Sequence, residues 1–522
     1  MRMMRKMTAL TLTLSLAVAR AVAAQEQARP DLVVFIAVDQ LRADYLERFK
    51  PQLTGGFKRL TEQGAWFTNA FQDHAVTETA VGHSTMLSGR FPRSNGIISN
   101  ANGVSDPQTP LLNGGPGASP FRFRGSTLID WLRSDDAASR ALSVSVKDRA
   151  AILPMGRAKQ NVFWFNNGAF TTSTYYGDTL PTWLRSFNAR RIPQSYAGKA
   201  WTLLLDARDY PETDSVIVEN AGRNVTFPHV VPGDSTRAAA GLANFPFMDQ
   251  VLLQLALSGI DSLRLGKGGH SDLLSVSLST TDYIGHAYGP ESREIHDQLL
   301  RLDRTLGAFL DSLFTRFRPE QVVIALTGDH GVTPFPQLHV KNPGDAISAD
   351  LRPAMAAVTP LLRARAIPDS AVSLESGMLI LDHDLLHHDH ALMDSIADTF
   401  ARAARAVPGV ARVDYVRQLA QGDTVKDAIT RRWNQMIPRD IMIPVVVTLA
   451  PNLVWGSGRS ASHGSPYDVD AHVPILLMGT PFKPGRYSEF ARTVDIAPTL
   501  AAVLRVHATE PLDGKPLRQA IK

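Results

Sequence analysis

The sequence of 522 residues contains no cysteine. The chain therefore has no disulfide bonds, and its stability must come from its core and from any metal that it binds. The absence of cysteine also excludes the acylated cysteine that anchors a bacterial lipoprotein.

Dense runs of lysine and arginine are absent too, and the formal net charge of +4 is small for this length. A nucleic acid partner is therefore not predicted. Beyond the N-terminus no run is apolar enough to span a bilayer, so no membrane anchor is expected. Hydrophobic residues make up 44% of the chain and charged residues 20%, which is typical of a folded globular protein. The length allows one large core or about two to three domains, and we expect a monomer.

The N-terminal residues have the pattern of a secretory signal. Three basic residues precede an apolar run at residues 7–19, which is followed by small residues. This run is too short to span a bilayer, which takes about 20 residues. We predict a signal peptide at residues 1–24, cleaved near Ala23 or Ala24, and a mature protein that is periplasmic or secreted. The alternative is an amphipathic helix that belongs to the fold.

Three apolar, β-branched runs end in acidic or histidine-containing segments. They are LVVFIAVD ending at Asp39, DLLSVSLSTTD ending at Asp282, and QVVIALTGDHG ending at Gly331. Near-continuous apolar runs of this length, separated by helical stretches such as residues 293–314, are typical of buried parallel strands. We predict an α/β fold with a doubly wound, mostly parallel central sheet of this kind. Ligands bind at the carboxyl ends of the strands in such sheets, where all three runs deliver acidic residues.

A fourth buried strand is predicted near the end of the chain, at residues 473–479. A helix is expected to follow it at residues 496–504, with Asp495 as its N-cap.

We assign residues 25–522 to one catalytic domain with two insertions. The first insertion is predicted at about 105–241 and the second at about 335–460. The second contains its own strand pattern, SGMLILD, and a helical pattern around residues 391–406. We therefore interpret it as a cap or subdomain.

Six carboxylate and imidazole side chains lie at or near the ends of predicted strands: Asp39, Asp282, His286, Asp329, His330 and His463. Such ligands suit zinc, and a catalytic zinc leaves one position open for water or substrate. Six ligands are too many for one zinc and about right for two, and paired metals are common in phosphoryl displacement. Taken singly, each residue also has a structural explanation as a cap, a turn residue or a loop histidine. Their joint occurrence favours a site for two Zn2+ ions.

The segment at residues 77–100, TETAVGHSTMLSGRFPRSNGIISN, adds a hydroxyl nucleophile in a glycine-punctuated turn. A threonine hydroxyl reacts at neutral pH only when a base or a metal lowers its pKa. We select Thr79 as the nucleophile, although spacing alone leaves Thr77, Ser84 and Thr85 as alternatives.

Together these motifs resemble the alkaline phosphatase superfamily. The chain is most similar to the branch of bacterial alkaline phosphatases that shares its catalytic core with nucleotide pyrophosphatase/phosphodiesterases. The resemblance extends from VDQLRADY, which ends at Tyr45, to DIAPTLAAVL, which begins at Asp495. It includes WFNNGAFTTSTYYGDTLPTW at residues 164–183.

The resemblance implies a specific role for each candidate residue. It assigns the first zinc to Asp282, His286 and His463, and the second zinc to Asp39, Asp329, His330 and the Thr79 oxygen. Thr79 would be phosphorylated, and water would then attack the phosphothreonine. Asn100 would donate a hydrogen bond to a phosphoryl oxygen, although on local grounds it could be a simple turn residue.

Lys147 and Arg149, in VSVKDRAAILPMG, indicate the class of substrate. We predict a short extended segment here, in which residues two apart point the same way and can reach one anion together. A phosphate monoester presents more nonbridging charge than a diester, and Arg and Lys suit that charge. The alternative is a solvated strand edge. In the resembling family a Lys-x-Arg pair marks the phosphatases, so we predict that small-molecule phosphate monoesters are the substrates.

Two other functions remain as alternatives. One is a phosphodiesterase or nucleotide pyrophosphatase that uses the same two zinc ions. The other is a noncatalytic zinc-binding protein that keeps the fold for partner recognition.

Other histidines are given structural interpretations. The run LDHDLLHHDHALMD contains His383, His387 and His390 at helical spacing, and we interpret it as a polar helix start rather than a third metal site. His83 and His472 could orient metal ligands or pack in the core, and they are left off the ligand list.

Overall fold

The computed structural model describes residues 29–340, 342, 345–456 and 460–522. The predicted signal peptide at residues 1–24 lies outside the described residues, as does its cleavage site near Ala23 or Ala24. Within the described ranges, no helix is both long enough and apolar enough to cross a membrane.

The strands of the described residues are numbered in chain order: β1 (Leu32–Val38), β2 (Ala65–Phe71), β3 (Ala141–Ser145), β4 (Asn161–Asn166), β5 (Ala169–Thr171), β6 (Ala200–Trp201), β7 (His229–Val230), β8 (Asp272–Leu278), β9 (Val322–Gly328), β10 (Ser348–Ala349), β11 (Val372–Glu375), β12 (Met378–Leu381), β13 (Val410–Tyr415), β14 (Met442–Leu449), β15 (Val454–Trp455), β16 (His472–Met478), β17 (Gly485–Tyr487) and β18 (Ala491–Arg492).

The α-helices of the same residues are α1 (Tyr45–Arg48), α2 (Gly56–Gln63), α3 (Thr79–Met86), α4 (Pro92–Asn95), α5 (Leu128–Asp135), α6 (Asp148–Ile152), α7 (Thr182–Ala189), α8 (Ser235–Gly241), α9 (Phe247–Leu263), α10 (Thr280–Tyr288), α11 (Arg293–Phe314), α12 (Arg352–Arg363), α13 (His390–Arg405), α14 (Val416–Leu419), α15 (Ala428–Met436), α16 (Asp468–Ala471) and α17 (Ile496–Leu504). The helices predicted at residues 293–314 and 496–504 are thus confirmed as α11 and α17.

Ten strands form the central sheet, in the order β17-β2-β16-β9-β1-β8-β3-β4-β5, with β18 also paired to β2. β1 runs parallel to β8 and β9, and β3 runs parallel to β8 and β4. The strands predicted from the three apolar runs are therefore adjacent at the centre of the sheet. The predicted α/β fold with a mostly parallel central sheet is confirmed.

β16 corresponds to the predicted fourth strand, but it runs antiparallel to both of its neighbours, β9 and β2. A strand that is covered on both faces shows a continuous apolar run whichever way it points. The direction of β16 could therefore not be read from its sequence.

Helices cover both faces of the central sheet. The even-numbered side chains of β1 pack in one core with α9 and α11, and the odd-numbered side chains pack in another with α5 and α17. All seven side chains of β1 are fully buried. Each such side chain contributes roughly 1.5 to 3 kcal/mol of burial free energy if it is large and aliphatic or aromatic. Because β1 is buried on both faces, its carboxyl end, which Asp39 follows, is held in a fixed position.

A second sheet lies outside the central one. It has four antiparallel strands in the order β11-β12-β14-β13, and it forms a separate core with α12 and α13. The interval at about 335–460, predicted as an insertion, contains this sheet. The interval at about 105–241 instead contributes β3, β4 and β5 to the central sheet.

Candidate active site

The carboxyl ends of three central strands lie side by side, because Val38 pairs with both Leu278 and Gly328. Asp39 follows β1 directly, and Asp329 follows β9 directly. Parallel register therefore brings these two carboxylates to one edge of the sheet, as the sequence predicts.

Asp282 reaches the same edge by a different route from the one expected. β8 ends at Leu278, and Asp282 lies in the first turn of α10. His286 follows four residues later, so both side chains project from one face of the helix. Oδ1 of Asp282 lies 3.2 Å from Nε2 of His286.

The six predicted ligands form two triads. Ligand atoms lie within 4.8 Å of one another in each: Asp282, His286 and His463 in the first triad, and Asp39, Asp329 and His330 in the second triad. This grouping is the one that the family resemblance implies. The rings of His330 and His463 stack with their centroids 3.6 Å apart, so the triads adjoin.

Each histidine of the triads is held by a backbone carbonyl. Nδ1 donates the hydrogen bond in every case: His286 to Ala461 at 2.8 Å, His330 to Gly331 at 2.9 Å, and His463 to Thr77 at 2.7 Å. A proton on Nδ1 leaves the lone pair on Nε2, which is the arrangement of a metal-binding imidazole. These Nε2 atoms lie 3.2 to 3.6 Å from a carboxylate oxygen of Asp282 or Asp39. The rings are thus oriented as ligands.

The carboxylates of the triads carry unbalanced buried charge. Burial, together with the charges of Asp282 and Asp329, raises the pKa of Asp39 to about 8. Among the described residues, no group donates a hydrogen bond to the buried Oδ1 of Asp39. The Nζ of Lys147 lies 2.6 Å from Asp39 and 2.6 Å from Asp282. One ammonium does not neutralise three carboxylates, so this donor set fits divalent cations.

Thr79 is the first residue of α3, a helix of eight residues that are all buried. This differs from the predicted turn. Gly82 lets α3 lie directly on the end of β9, since a Cβ at this position would collide with the carbonyl oxygen of Asp329. The hydroxyl oxygen of Thr79 lies 3.4 Å from Nε2 of His330 and 3.3 Å from Nζ of Lys147. It therefore adjoins the second triad and a cation.

The three alternative hydroxyl groups bind backbone carbonyls. Thr77 donates to Ser465 at 2.9 Å, and Ser84 and Thr85 each donate to the carbonyl three residues earlier at 2.7 Å. Of the four hydroxyls, that of Thr79 alone belongs to a residue lining the cavity at this edge of the sheet. The geometry favours Thr79, whose role stays a prediction.

The cavity has a volume of about 440 Å³, which is sufficient for a small phosphate ester. Its lining comprises Thr79, Asn100, Lys147, Arg149, Asn244, Asp282, Tyr283, His286, Ala287 and His463. Asn244, Tyr283 and Ala287 were not predicted. Tyr283 and Ala287 each follow a proposed ligand in α10, whereas Asn244 is an exposed residue at the end of a short 3-10 helix, Leu242–Asn244, and has no sequence signal.

Asn100 is tied to both neighbours of Thr79. Its Oδ1 accepts a hydrogen bond from the backbone N of Ala80 at 2.9 Å, and its own backbone N donates to Glu78 at 2.6 Å. Glu78 was not predicted, and its only sequence signal is its place directly before Thr79.

Lys147 and Arg149 share the cavity, but the reason given from the sequence is wrong. β3 ends at Ser145, and α6 begins at Asp148, so the segment is not extended. Lys147 precedes the helix, and Arg149 lies in its first turn. The two cations meet because the chain turns sharply at the end of a central strand.

Gln40 is a further residue that sequence reasoning missed. Its backbone N donates to Asp329 Oδ1 at 3.0 Å, and its Nε2 donates to Asp282 Oδ1 at 2.9 Å. It thus holds one carboxylate of each triad. Its φ is 65°, and Gly285 provides room for its side chain. Its only sequence signal is that it follows Asp39.

His83 and His472 occupy different environments. Nδ1 of His83 lies 3.1 Å from Asp329, and its Nε2 lies 2.8 Å from Ser277 Oγ, so His83 orients a carboxylate of the second triad. His472 stacks on Phe71 and is not part of the cavity lining.

The histidine-rich run at residues 381–394 differs from its predicted structure. α13 begins only at residue 390, so the helix-start interpretation is wrong for His383 and His387. The Nδ1 atoms of His383 and His388 lie 2.7 Å apart. Two nitrogen ligands of one tetrahedral zinc would be about 3.3 Å apart, given zinc–nitrogen distances of about 2.0 to 2.1 Å. That distance suits a hydrogen bond between the two rings, and ligand atoms of His383, Asp384 and His388 lie within 4.8 Å of one another.

The chain matches one family model and several curated proteins. The family model described as type I phosphodiesterase / nucleotide pyrophosphatase matches residues 33–407. Alkaline phosphatase PhoV of Synechococcus elongatus is 31% identical over 95% of this chain and 94% of its own length. Alkaline phosphatase PafA of Elizabethkingia meningoseptica is 30% identical over 94% of this chain and 95% of its own length.

Solved structures also match this chain over nearly its whole length. The crystal structure of wild-type PafA matches with a TM-score of 0.85 and 28% identity, covering 95% of this chain and 99% of that chain. Human ectonucleotide pyrophosphatase/phosphodiesterase 5 matches with a TM-score of 0.52 and 13% identity over 94% of this chain and 99% of that chain, which shows a shared fold.

The chain belongs to the type I phosphodiesterase / nucleotide pyrophosphatase family, within the alkaline phosphatase superfamily. Its likeness over nearly the whole length to PhoV and PafA confirms the predicted branch of bacterial alkaline phosphatases and the predicted enzyme class.

Proposed function

We propose that this protein hydrolyses phosphate monoesters with two zinc ions and with Thr79 as its nucleophile. The observation that carries the proposal is the position of Lys147 Nζ, 3.3 Å from Thr79 Oγ1, with Arg149 lining the same cavity. Two cations beside the nucleophile favour the substrate with more charge on its nonbridging oxygens, which is a monoester. The resemblance to bacterial alkaline phosphatases supports the same activity.

The two triads would each hold one zinc ion. The first triad, Asp282, His286 and His463, would hold the first ion, and the second triad, Asp39, Asp329 and His330, would hold the second together with the Thr79 oxygen. The three Nε2 lone pairs and the unbalanced carboxylate charge support this assignment. When bound, the ions would lower the pKa of the Thr79 hydroxyl and offset charge on the leaving-group oxygen.

The side chains of the cavity bind and orient the substrate. Thr79 Oγ1 gives up its proton and attacks phosphorus, the bond from phosphorus to the leaving-group oxygen breaks, and a phosphothreonine forms while the leaving group departs as the alcohol or phenol after taking up a proton. Water then attacks the phosphorus of the phosphothreonine, which releases phosphate and restores the Thr79 hydroxyl.

Three side chains hold the phosphoryl oxygens. The Oδ1 of Asn100 is used by the backbone N of Ala80, so its Nδ2 group is the donor directed at the phosphoryl group. Arg149 presents a planar fork that matches two oxygens, and Lys147 supplies a point charge. These contacts strengthen as charge develops in the transition state.

The substrate class is tested by comparing an aryl phosphate with the diester of the same phenol. We expect kcat/KM for the monoester to exceed that for the diester by about 10²-fold or more, because a diester forms fewer ionic contacts with Lys147 and Arg149. A preference for the diester would instead establish the second candidate function, a phosphodiesterase or nucleotide pyrophosphatase, which the family description favours.

Metal removal tests the two triads. Dialysis against a chelator is expected to abolish phosphatase activity, and Zn2+ is expected to restore it, with elemental analysis giving two zinc ions per chain. The unfolding temperature should fall as well. Without metal ions, no divalent charge would offset the buried carboxylates of Asp39, Asp282 and Asp329. If zinc raised the unfolding temperature but the zinc-loaded protein hydrolysed no phosphate ester, a noncatalytic zinc-binding protein would be indicated.

We also propose that the mature protein acts in the periplasm or outside the cell, as a monomer. The predicted signal peptide at residues 1–24 supports this location. Small-molecule phosphate monoesters are its proposed substrates.

A further inference from the structure

The hairpin of β11 and β12 in the second sheet contacts segments that flank the candidate active site. β11 and β12 are joined by the turn of Ser376 and Gly377, whose φ angles are 46° and 81°. Two positive φ angles are typical of the two-residue turns of tight hairpins. Glu375, Ser376 and Gly377 form the part we call the hairpin tip.

The hairpin tip is hydrogen-bonded to the segments that flank Thr79 and Asn100. Ser376 Oγ donates to Oε1 of Glu78 at 2.6 Å. The carboxylate of Glu375 accepts hydrogen bonds from Ser99 Oγ and from Asn102 Nδ2. These contacts join residues 273 to 298 positions apart in the chain.

The side-chain hydrogen bonds of the hairpin tip reach Glu78, which itself bonds Asn100, and Ser99 and Asn102, which lie one and two residues from Asn100. Glu78 uses its other oxygen, Oε2, to accept a hydrogen bond from the Asn100 backbone N at 2.6 Å. Ser99 precedes Asn100, and Ser99 Oγ accepts a hydrogen bond from the backbone N of Asn102 at 2.9 Å. The tip therefore holds the loop of Asn100 on both sides, while Asn100 itself lines the cavity.

Apolar packing also fixes the part of the hairpin that adjoins its tip. Met378, the first residue of β12, and Val446 of β14 belong to one buried cluster with Val81 of α3 and with Ile98. Val81 lies on the helix that begins at Thr79. The start of β12 is therefore packed against the helix that directly follows Glu78, the residue bonded by Ser376, and this packing restricts movement of the tip.

We propose that Glu375 and Ser376 are positioning residues that fix Asn100 for its hydrogen bond to the phosphoryl group. The inference rests on the proposed function, because it assigns Asn100 that hydrogen bond. Without these contacts, the loop that carries Asn100 would sample other positions. Misplacement of the Asn100 donor by a fraction of an ångström weakens its stabilisation of the transition state. The second sheet thereby contributes to catalysis without touching the substrate.

The test is a double-mutant cycle with an aryl phosphate as the substrate. Glu375→Ala and Ser376→Ala are each expected to lower kcat/KM about tenfold in the otherwise unchanged protein. In a protein that already carries Asn100→Ala, the same changes should lower it by less than about twofold, because the group that they position is gone. Glu375→Gln should restore most of the loss, since its amide can still pair with Ser99 and Asn102.

Ser373→Ala is the matched control, because Ser373 is exposed on β11 of the same hairpin. It should leave kcat/KM unchanged. Zinc content and unfolding temperature, measured for every variant, identify losses that come from general damage. The inference is overturned if Glu375→Ala and Ser376→Ala leave kcat/KM intact, or if their effects are equally large with Asn100→Ala. The proposed function fails separately, if the unchanged protein does not hydrolyse the aryl phosphate.

Discussion

Replacing Thr79 by alanine is expected to lower kcat/KM for an aryl phosphate by roughly 10⁴-fold or more, the scale seen when a hydrolase loses its nucleophile. The hydroxyl oxygen of Thr79 lies 3.3 Å from Lys147 Nζ and 3.4 Å from His330 Nε2. No other hydroxyl among the four candidates belongs to a cavity-lining residue, so none can take its place.

The measurement is both kinetic and chemical. In addition to steady-state rates, acid-quenched enzyme is digested and analysed by mass spectrometry for a phosphorylated residue. The unchanged protein should carry the phosphoryl group on Thr79, and Thr79→Ala should carry none. Thr79→Ser is the conservative variant and should keep a substantial part of the activity, because it preserves the attacking oxygen.

Ser84→Ala and Thr85→Ala test the alternative assignment. Their hydroxyls donate to carbonyls within α3 at 2.7 Å, so their loss should not prevent phosphorylation of Thr79. A phosphoryl group found at either position, or a Thr79→Ala variant with full activity, would contradict Thr79 as the nucleophile.

Replacing Lys147 by alanine is expected to lower kcat/KM for the monoester by about 10²- to 10³-fold, the usual cost of removing one group that stabilises transition-state charge. The loss for the diester should be less than about tenfold, because a diester has less charge for Lys147 to offset. The ratio of the two kcat/KM values therefore measures the effect directly.

Metal content separates this effect from damage to the triads. Without Lys147, the carboxylates of Asp39 and Asp282 lose an ammonium that lies 2.6 Å from each, so zinc binding should be maintained or strengthened. Lys159→Ala, at an exposed lysine nearby in the sequence, serves as the control and should leave both rates unchanged. Equal losses for monoester and diester would contradict the proposed role of Lys147.

The sequence predicted the positions of the candidate site residues well where such a residue directly follows a strand. Asp39, Asp329 and His330 come directly after apolar runs, and parallel register aligns the ends of those runs. It predicted poorly where a residue is carried by a turn or by a short helix. Lys147 and Arg149 were placed on an extended segment, but they lie at the start of α6, because a short apolar run does not show where a strand ends.

The sequence analysis mostly missed the residues that hold a proposed metal ligand or Asn100 in position. Gln40 holds Asp282 from a position 242 residues away, and Glu78 bonds Ser376 across 298 residues. Hydrophobic periodicity and local propensity contain no information about such contacts, since they depend on how distant segments pack.

The sequence by itself determined the class of fold, the central strands, the set of candidate ligands and the resemblance to a family, because these depend on burial patterns and on local motifs. The tertiary structure alone decided the direction of β16, the Nδ1 partners of His286 and His463, the meeting of Lys147 with Thr79, and the contact of the hairpin tip with the loop of Asn100. The physical reason is that each of these features is a contact between segments far apart in the chain. Such contacts are set by the packing of whole elements, whereas a local pattern specifies only which face of an element is buried.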